Sequence, residues 1–348
     1  MTSHPSLPLP ELSVHDLLCT SDLTTEDIEH VFTTAVTLKA GRDEHNQVLR
    51  QKRLAMIFEK DSLRTRFTFD IGMQDLGGSC VFMDHRDARL GSRESVKDMA
   101  RNLERWVDCI GARTFKHKVL DELAANADIP IINGLSDFVH PCQALADFMT
   151  LRERWGNPAG KTLTYVGDGN NTCHSLIHTA AKLGTHIRAC SPEGYEPNAR
   201  VVSEAMRVAH QTGAEISILN DPDAAADGAD AIYTDVWASM GQEDEIEERN
   251  GLFAPYQVNA DMMARAKPDA FFMHCLPAHR GSEVTADVMD GHQSIVYDIA
   301  ENRLHVQKAL LALLIRYPRV PHSERARRVH SDMRVRARSP YAASLTTD

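Results

Sequence analysis

Short apolar and β-branched runs alternate with longer stretches of helical spacing along most of this 348-residue chain, and this alternation most constrains its fold. The pattern is typical of parallel βαβ units, in which a helix connects each strand to the next. In the first half the apolar runs are LAMIF (54–58), SCVFM (79–83), CIGAR (109–113) and IPIIN (129–133). The alternation therefore predicts an α/β fold with parallel sheets flanked by helices.

A second series of apolar runs follows residue 160. We predict a strand in each of KTLTYVGDGNN, HIRACSP, AEISILN, DAIYTDVW, AFFMHCLP and SIVYD. Because the chain exceeds one ordinary single-core domain, two lobes are expected. We place them at 1–150 and 151–300, joined by interdomain helices, with a last helix over 301–316 that packs back across them and a basic C-terminal extension over 317–348.

Charge and cysteine content bear on the possible partners and compartment. The net charge of −11 repels nucleic-acid phosphates, and no basic stripe with interleaved aromatic residues runs through the body of the chain, so we expect no nucleic-acid partner. Seven scattered cysteines, none in a CxxC pair, do not suggest a disulfide framework. The N-terminal stretch lacks a signal-peptide pattern and the apolar run at 309–315 is too short to cross a bilayer, so we expect a cytoplasmic protein without a membrane partner.

Polar residues that directly follow the predicted strands are the candidate site residues, because ligands bind beyond the carboxyl ends of strands in open parallel sheets. The densest group is DSLRTRF (61–67), which precedes a stretch of helical spacing. Backbone N–H groups at a helix start, the hydroxyls of Ser62 and Thr65 and the forked guanidinium of Arg64 suit a phosphate. The alternative interpretation is an ordinary N-capped helix with solvated arginines.

Three further places lie at strand ends or helix starts. Arg113 ends CIGAR, and His140 and Gln143 of HPCQ share one face of a predicted helix start. Asp235 ends the strand in DVWASMG, where a carboxylate could take an amine, and Ser239 and Met240 follow in the loop.

The segment HCLPAHRG places Cys275 at the end of a strand. A buried thiol, a binding role and a cysteine nucleophile with a histidine base are all open interpretations. A zinc site built from His274, Cys275 and His279 competes with them, but no paired-cysteine or HExxH spacing completes the ligand set.

The segment GDGNN follows a predicted strand and carries a Gly-x-Gly pair. The third glycine of the dinucleotide fingerprint is missing, because Thr172 stands there. A two-lobed, nicotinamide-dependent dehydrogenase is therefore the alternative from another class of function.

Together the motifs SLRTR, HPCQ, DVWASMG and HCLPAHRG, with GDGNN and AENR (300–303), resemble the aspartate/ornithine transcarbamylase family over about residues 10–316, most closely its ornithine-specific members. The resemblance implies a carbamoyl-phosphate lobe followed by an ornithine lobe, assembled as a homotrimer or a multiple of trimers. It implies transfer of the carbamoyl group to the side-chain amine of L-ornithine, giving L-citrulline and phosphate. Neither a metal nor a cofactor is expected.

The resemblance also implies roles for individual residues, carried over motif by motif. The residues expected to bind carbamoyl phosphate are Ser62, Leu63, Arg64, Thr65, Arg89, Arg113, His140, Gln143, Cys275, Leu276 and Arg303. Those expected to bind ornithine are Asn171, Asp235, Ser239 and Met240. The catalytic set is Cys275, Arg303, Arg113 and His140, in which guanidinium and imidazolium donors stabilise the oxygen of the tetrahedral intermediate.

Two positions depart from the family pattern. Leu63 stands where the phosphate loop commonly has a threonine, and Arg89 stands where many relatives have a glutamine or histidine that reaches a neighbouring subunit's substrate. Leucine at this position is similar to relatives that act on acylated ornithine, so an acylated ornithine or putrescine is the alternative acceptor. A non-catalytic scaffold with an arginine-rich tail is the other alternative. Asp235 favours a free α-amino group and hence ornithine itself.

Overall fold

The computed structural model describes residues 9–41, 47–84, 90–238 and 245–315. Its strands are β1 (Arg53–Phe58), β2 (Ser79–Asp84), β3 (Cys109–Arg113), β4 (Ile131–Leu135), β5 (Thr162–Val166), β6 (His186–Cys190), β7 (Ile216–Leu219), β8 (Ala231–Thr234) and β9 (Phe271–His274). Its helices are α1 (Thr25–Ala40), α2 (Leu63–Asp75), α3 (Val96–Leu103), α4 (His117–Asn126), α5 (Pro141–Trp155), α6 (Asn171–Leu183), α7 (Ala199–Thr212), α8 (Pro222–Ala226), α9 (Ile246–Phe253), α10 (Ala260–Arg265), α11 (Ala286–Met289) and α12 (Val296–Ile315).

The strands form two parallel sheets, which confirms the predicted α/β fold with two lobes. The first has the order β2-β1-β3-β4 and the second the order β7-β6-β5-β8-β9. Helices between successive strands return the chain to the starting edge, so each sheet collects the carboxyl ends of its strands on one side. None of the helices in the described ranges is long and apolar enough to span a bilayer.

Strand register brings the polar motifs to these edges. Phe58 lies opposite Arg113 in the first sheet, so SLRTR and the end of CIGAR are neighbours. In the second sheet Val166 lies beside Thr234, and Thr234 lies beside His274. The segments that follow these three strands therefore begin next to one another.

The prediction of a strand in SIVYD was wrong. Ser294 makes an isolated bridge to Phe272, and α12 begins two residues later. Val296, Ile299 and Val306 are buried at helical spacing, so the apolar residues that suggested a strand belong to a helix. The helix begins at Val296, five residues before the predicted start at 301.

Helix α12 packs against α1, α2 and α5. At the crossing with α2, Gly72 lies beside the Lys308 side chain, whose Nζ donates to Asp75 Oδ2 at 3.1 Å. This packing fixes the direction of α12 and carries Arg303 to the start of α2.

Candidate active site

The start of α2 forms the phosphate end of the candidate site. Ser62 is the N-cap, and its Oγ accepts from the backbone N–H of Thr65 at 3.2 Å. The first-turn N–H groups of a helix have no intrahelical partners and favour an anion. Leu63, which stands where the family commonly has a threonine, is 68% exposed.

Three arginines from three elements meet beside this helix start. Arg303 of α12 donates to Gln143 Oε1, and its Nη2 donates to Thr65 Oγ1 at 3.1 Å. Arg64 of α2 donates to the backbone oxygen of Leu276 in the second lobe. Burial, followed by the nearby charges of Arg303 and Arg64, lowers the pKa of Arg113 to about 10.

Two of these guanidinium groups have unused donors. The Nε atoms of Arg113 and Arg303 are buried and have no hydrogen-bond partner among the described residues. Buried charged groups require compensating partners, so this cluster is suited to an anionic ligand with several acceptor oxygens.

His140 lies directly before α5 and is buried at the lobe junction. Its backbone N–H donates to Ser175 Oγ at 2.8 Å, whereas its Nδ1 has no partner among the described residues. Burial, together with the charges of Arg303 and Arg113, lowers the pKa of His140 well below 6.5. The fold therefore favours the neutral imidazole over the imidazolium that the resemblance implied.

Asp235 provides the negative charge on the second-lobe side. Its Oδ1 accepts from Cys275 Sγ at 2.9 Å and from the Val236 N–H at 2.8 Å, and its Oδ2 accepts from Asn170 Nδ2 at 2.9 Å. A carboxylate offers about four acceptor positions, so these three bonds leave capacity for one further donor. The group is suited to an ammonium.

Cys275 is a thiol in this setting. Burial, followed by the charge of Asp235 and the hydrogen bond to it, raises the pKa of Cys275 well above 9.0. A nucleophilic cysteine needs a thiolate, so the structure favours a binding role over nucleophilic attack. The next residue, Leu276, has φ of +61°, an uncommon conformation for a leucine; its N–H donates to His274 Nδ1 at 2.8 Å.

The residues around Cys275 do not fit the zinc site that the sequence left open. Potential ligand atoms of Asp235, His274 and Cys275 lie within 4.8 Å of one another. Both ring nitrogens of His274 are engaged, however, because Nδ1 accepts from Leu276 and Nε2 lies 3.3 Å from Glu283 Oε1. His274 therefore orients the loop after β9.

Asn171 lies at the junction of the lobes, where its Nδ2 donates to the Ser136 oxygen at 2.6 Å. Sequence reasoning missed its neighbour Asn170, which caps α6 through Oδ1 and donates to Asp235. It also missed Asp147, a buried carboxylate four residues after Gln143 on the same helical face. The signals were an asparagine directly before a helix start and an i, i+4 pair.

The structure brings together most of the residues proposed from sequence. Those placed around the junction are Ser62, Arg64, Thr65, Arg113, His140, Gln143, Asn171, Asp235, Cys275, Leu276 and Arg303, and Leu63 is the first residue of α2. Arg89, Ser239, Met240 and the extension over 317–348 lie outside the described residues.

Comparisons with known proteins agree with this arrangement. Residues 15–153 match the family model of the aspartate/ornithine carbamoyltransferase carbamoyl-P binding domain, and residues 159–314 match that of the Asp/Orn binding domain. The ornithine carbamoyltransferase of Pyrococcus abyssi is 51% identical over 306 residues, which are 87% of this chain and 96% of that protein.

Two solved structures add to the comparison. The ornithine carbamoyltransferase from Pyrococcus furiosus has a TM-score of 0.84 and 50% identity, covering 86% of this chain and 97% of that one. An acetylornithine transcarbamylase complexed with acetylcitrulline has a TM-score of 0.79 and 30% identity, covering 86% and 99%. The chain belongs to the aspartate/ornithine carbamoyltransferase family.

Proposed function

We propose that the chain transfers the carbamoyl group of carbamoyl phosphate to the side-chain amine of L-ornithine, giving L-citrulline and phosphate. One observation carries this function: a buried arginine cluster meets a buried carboxylate across the lobe junction. Arg64 contacts the Leu276 carbonyl, and the adjacent Cys275 contacts Asp235. A dianion site therefore lies beside an ammonium site, as an acyl phosphate and a diamino acid require.

Carbamoyl phosphate occupies the first-lobe side. Its phosphate accepts from the first turn of α2 and from the Arg64 guanidinium, and its carbonyl oxygen accepts from Arg113, His140 and Arg303. Two observations support these roles: within the described part of the chain, the Nε atoms of Arg113 and Arg303 have no hydrogen-bond partner, and neither does Nδ1 of His140.

Ornithine occupies the second-lobe side, where Asp235 binds its α-ammonium. Acylation would remove that positive charge, and putrescine carries no α-carboxylate for the site to bind. Aspartate as acceptor would bring a second carboxylate to a loop that already offers one. Both sequence-based alternatives from other classes, a dehydrogenase and a non-catalytic scaffold, lose their support because the family models cover both lobes.

The reaction forms a bond between the ornithine side-chain nitrogen and the carbamoyl carbon, and it breaks the bond between that carbon and the bridging phosphate oxygen. Presenting an amine with a pKa of about 10.4 as the neutral nucleophile near pH 7 costs about 4.6 kcal/mol. Nearby guanidinium groups offset part of this cost because they disfavour a second cation. The departing phosphate accepts the proton that the amine loses.

Negative charge develops on the carbamoyl oxygen as its carbon becomes tetrahedral. Arg113, Arg303 and the neutral His140 are preorganised donors toward that charge, so they stabilise the transition state more than the ground state. Removal of one such donor typically lowers kcat about 10²- to 10³-fold.

The finer features of this function belong to the same proposal. We place the enzyme in the cytoplasm, as a homotrimer or a multiple of trimers. Exposed apolar side chains on α2 and on the edge strand β2, Leu63, Phe67 and Val81, support an interface between copies. A role in arginine biosynthesis is supported by a relative from Pyrococcus furiosus that is 50% identical and named as the anabolic ornithine carbamoyltransferase.

A direct assay tests the acceptor. Purified protein is incubated with carbamoyl phosphate and, separately, ornithine, N-acetylornithine, putrescine or aspartate, and the carbamoylated products are quantified. Citrulline formation with ornithine, at a kcat/KM about 10- to 100-fold above the other acceptors, is the expected result, since a lost charge-assisted bond is worth about 1.5–3 kcal/mol. Product with N-acetylornithine alone would overturn the proposal.

A further inference from the structure

The Gln143 side chain lies between two groups of opposite hydrogen-bonding character. Its Oε1 accepts from Arg303 Nη1, and its Nε2 donates to Asp147 Oδ1 at 2.9 Å. Gln143, Asp147 and Arg303 are all buried. A guanidinium can only donate and an ionised carboxylate can only accept, so this pair admits one orientation of the amide.

We propose that Asp147 is a positioning residue that selects the donor substrate by fixing the amide orientation of Gln143, so that the site presents Oε1 to the carbamoyl NH₂ group. This inference rests on the proposed function. The arginine cluster supplies donors but no acceptor, whereas the carbamoyl NH₂ needs an acceptor. Arg303 leaves Oε1 with a second lone pair for that purpose.

The consequence is selection among acyl phosphates. The phosphate and the carbonyl oxygen of such a molecule satisfy the arginines whether its third substituent is an amino or a methyl group. Only the amino group can donate a hydrogen bond to the oriented Oε1. A rotated Gln143 would present its own NH₂ group, leaving two donors facing each other, which is unfavourable in a buried site.

Asp147 is itself held in place from the second lobe. Its Oδ2 accepts from the Tyr233 hydroxyl at 3.3 Å. Burial raises the pKa of Asp147 to about 7. The hydrogen bonds from Gln143 and Tyr233 and the charge of Arg303 oppose this rise, and the charge of Asp235 adds to it. The ionised carboxylate, which can only accept hydrogen bonds, predominates above that pH. The position four residues after Gln143 on α5 makes the contact a local property of the helix.

Two stable probes separate orientation from general damage. Phosphonoacetamide keeps the NH₂ group, and acetonylphosphonate carries a methyl group in its place. Calorimetry of the full chain should show that Asp147→Leu lowers the affinity for phosphonoacetamide about tenfold, the magnitude of one hydrogen bond. The affinity for acetonylphosphonate should change by less than about twofold. Equal losses for both probes, or no loss for either, would overturn the inference.

Matched variants complete the test. Tyr233→Phe keeps the bond between Asp147 and Gln143, so the ratio of the two affinities should stay within about twofold of wild type. A decrease of this ratio as large as that in Asp147→Leu would contradict the proposed role. If Asp147→Leu does not fold, Asp147→Leu combined with Tyr233→Phe replaces both polar partners by apolar groups and must show the same loss of ratio. Citrulline formation by the wild type is measured separately. If the wild type forms no citrulline but Asp147→Leu still lowers the affinity ratio of the two probes, the result contradicts the proposed function and not this inference.

Discussion

The two ends of the site differ in how their buried charges are satisfied. Asp235 already accepts three hydrogen bonds within the chain, whereas Arg113 and Arg303 each retain a buried Nε without a partner in the described residues. An unpaired buried cation is unfavourable, so an anion gains more at the arginine end than an ammonium gains at Asp235. We therefore expect carbamoyl phosphate to bind with higher affinity than ornithine.

Replacement of Asp235 tests the ornithine end. In Asp235→Asn the ornithine KM should rise about 10- to 100-fold, because a hydrogen bond to a charged group is worth about 1.5–3 kcal/mol. The KM for carbamoyl phosphate should stay within about twofold. Steady-state kinetics with each substrate varied in turn provide the measurement.

The opposite end of β8, the strand that Asp235 follows, offers a matched control for that variant. Asp230, just before β8, is equally buried and pairs with Lys161 and Lys267. Asp230→Asn should affect stability while leaving the ornithine KM unchanged. Normal ornithine kinetics in Asp235→Asn would remove the binding role of Asp235.

The buried carboxyl of Asp147 makes a prediction about pH and stability. Its pKa rises from 3.8 to about 7 on burial, so between these values the folded chain holds a proton that the unfolded chain has lost. Stability attributable to Asp147 therefore decreases as pH rises through this window. At about 1.36 kcal/mol per pKa unit, the upper limit is roughly 4 kcal/mol.

Asp147→Asn removes this titration. Its free energy of unfolding relative to wild type should therefore increase from pH 5 to pH 8, which denaturant titration of both proteins at each pH measures. A difference independent of pH would show that Asp147 does not titrate in this window.

At the scale of elements, the starts of three helices converge on the site. Ser62 precedes α2, His140 precedes α5 and Asn170 precedes α6. Helix starts carry partial positive charge and unpaired N–H groups. Their convergence adds to the field of the arginines and explains how a chain with a net charge of −11 forms a site for an anion.

The loop before α6 depends on one glycine. A Cβ on Gly169 would lie 2.2 Å from the Pro197 nitrogen and 2.4 Å from the Glu196 carbonyl carbon, both backbone atoms. Gly169→Ala should therefore displace the loop, destabilise the fold by about 1–3 kcal/mol and raise the ornithine KM through the shift of Asn170. Thermal unfolding and kinetics measure the two effects.

Gly251 in α9 provides the control for the same substitution. A Cβ there meets no atom of the described ranges within 4 Å, and alanine is favoured over glycine inside a helix by about 1 kcal/mol. Gly251→Ala should be neutral or stabilising. Equal behaviour of the two variants would contradict the steric argument.

At the scale of the whole molecule, polar contacts join the lobes at the site. His140 and Ser175, Asn171 and Ser136, and Arg64 and Leu276 each form one such hydrogen bond. A substrate that bridges the lobes adds to these contacts, so binding of both substrates should stabilise the observed packing of the lobes against unfolding.

The exposed edge of the first sheet predicts the assembly. Val81 on the edge strand β2 is 57% exposed among the described residues, and an exposed apolar side chain on an edge strand favours contact with another chain. Val81→Glu should shift a homotrimer toward smaller species in sedimentation or light scattering. Met206→Glu, at an exposed apolar position on α7 of the second lobe, should leave the mass unchanged.

The sequence determined local structure and residue chemistry well. Alternating apolar runs placed all nine strands of the described ranges, because strand and helix periods are local properties. SIVYD was assigned wrongly because a short apolar run fits a strand and a buried helix start equally well, and packing of Val296 and Ile299 decided between them. Within the first sheet, the rule that parallel strands share one carboxyl edge also places SLRTR near HPCQ. HCLPAHRG follows a strand of the second sheet, so its contact with Arg64 depends on how the lobes pack.

Tertiary structure alone decided the charge states and the supporting contacts. The protonation of His140 and Cys275 depends on burial and on charges from distant segments, so sequence chemistry suggested an imidazolium where the fold lowers the pKa of the ring. Arg303 reaches Thr65 across 238 positions, and Asp147 reaches Tyr233 across 86. Such contacts depend on how helices cross and sheets pack, and no local pattern encodes those distances.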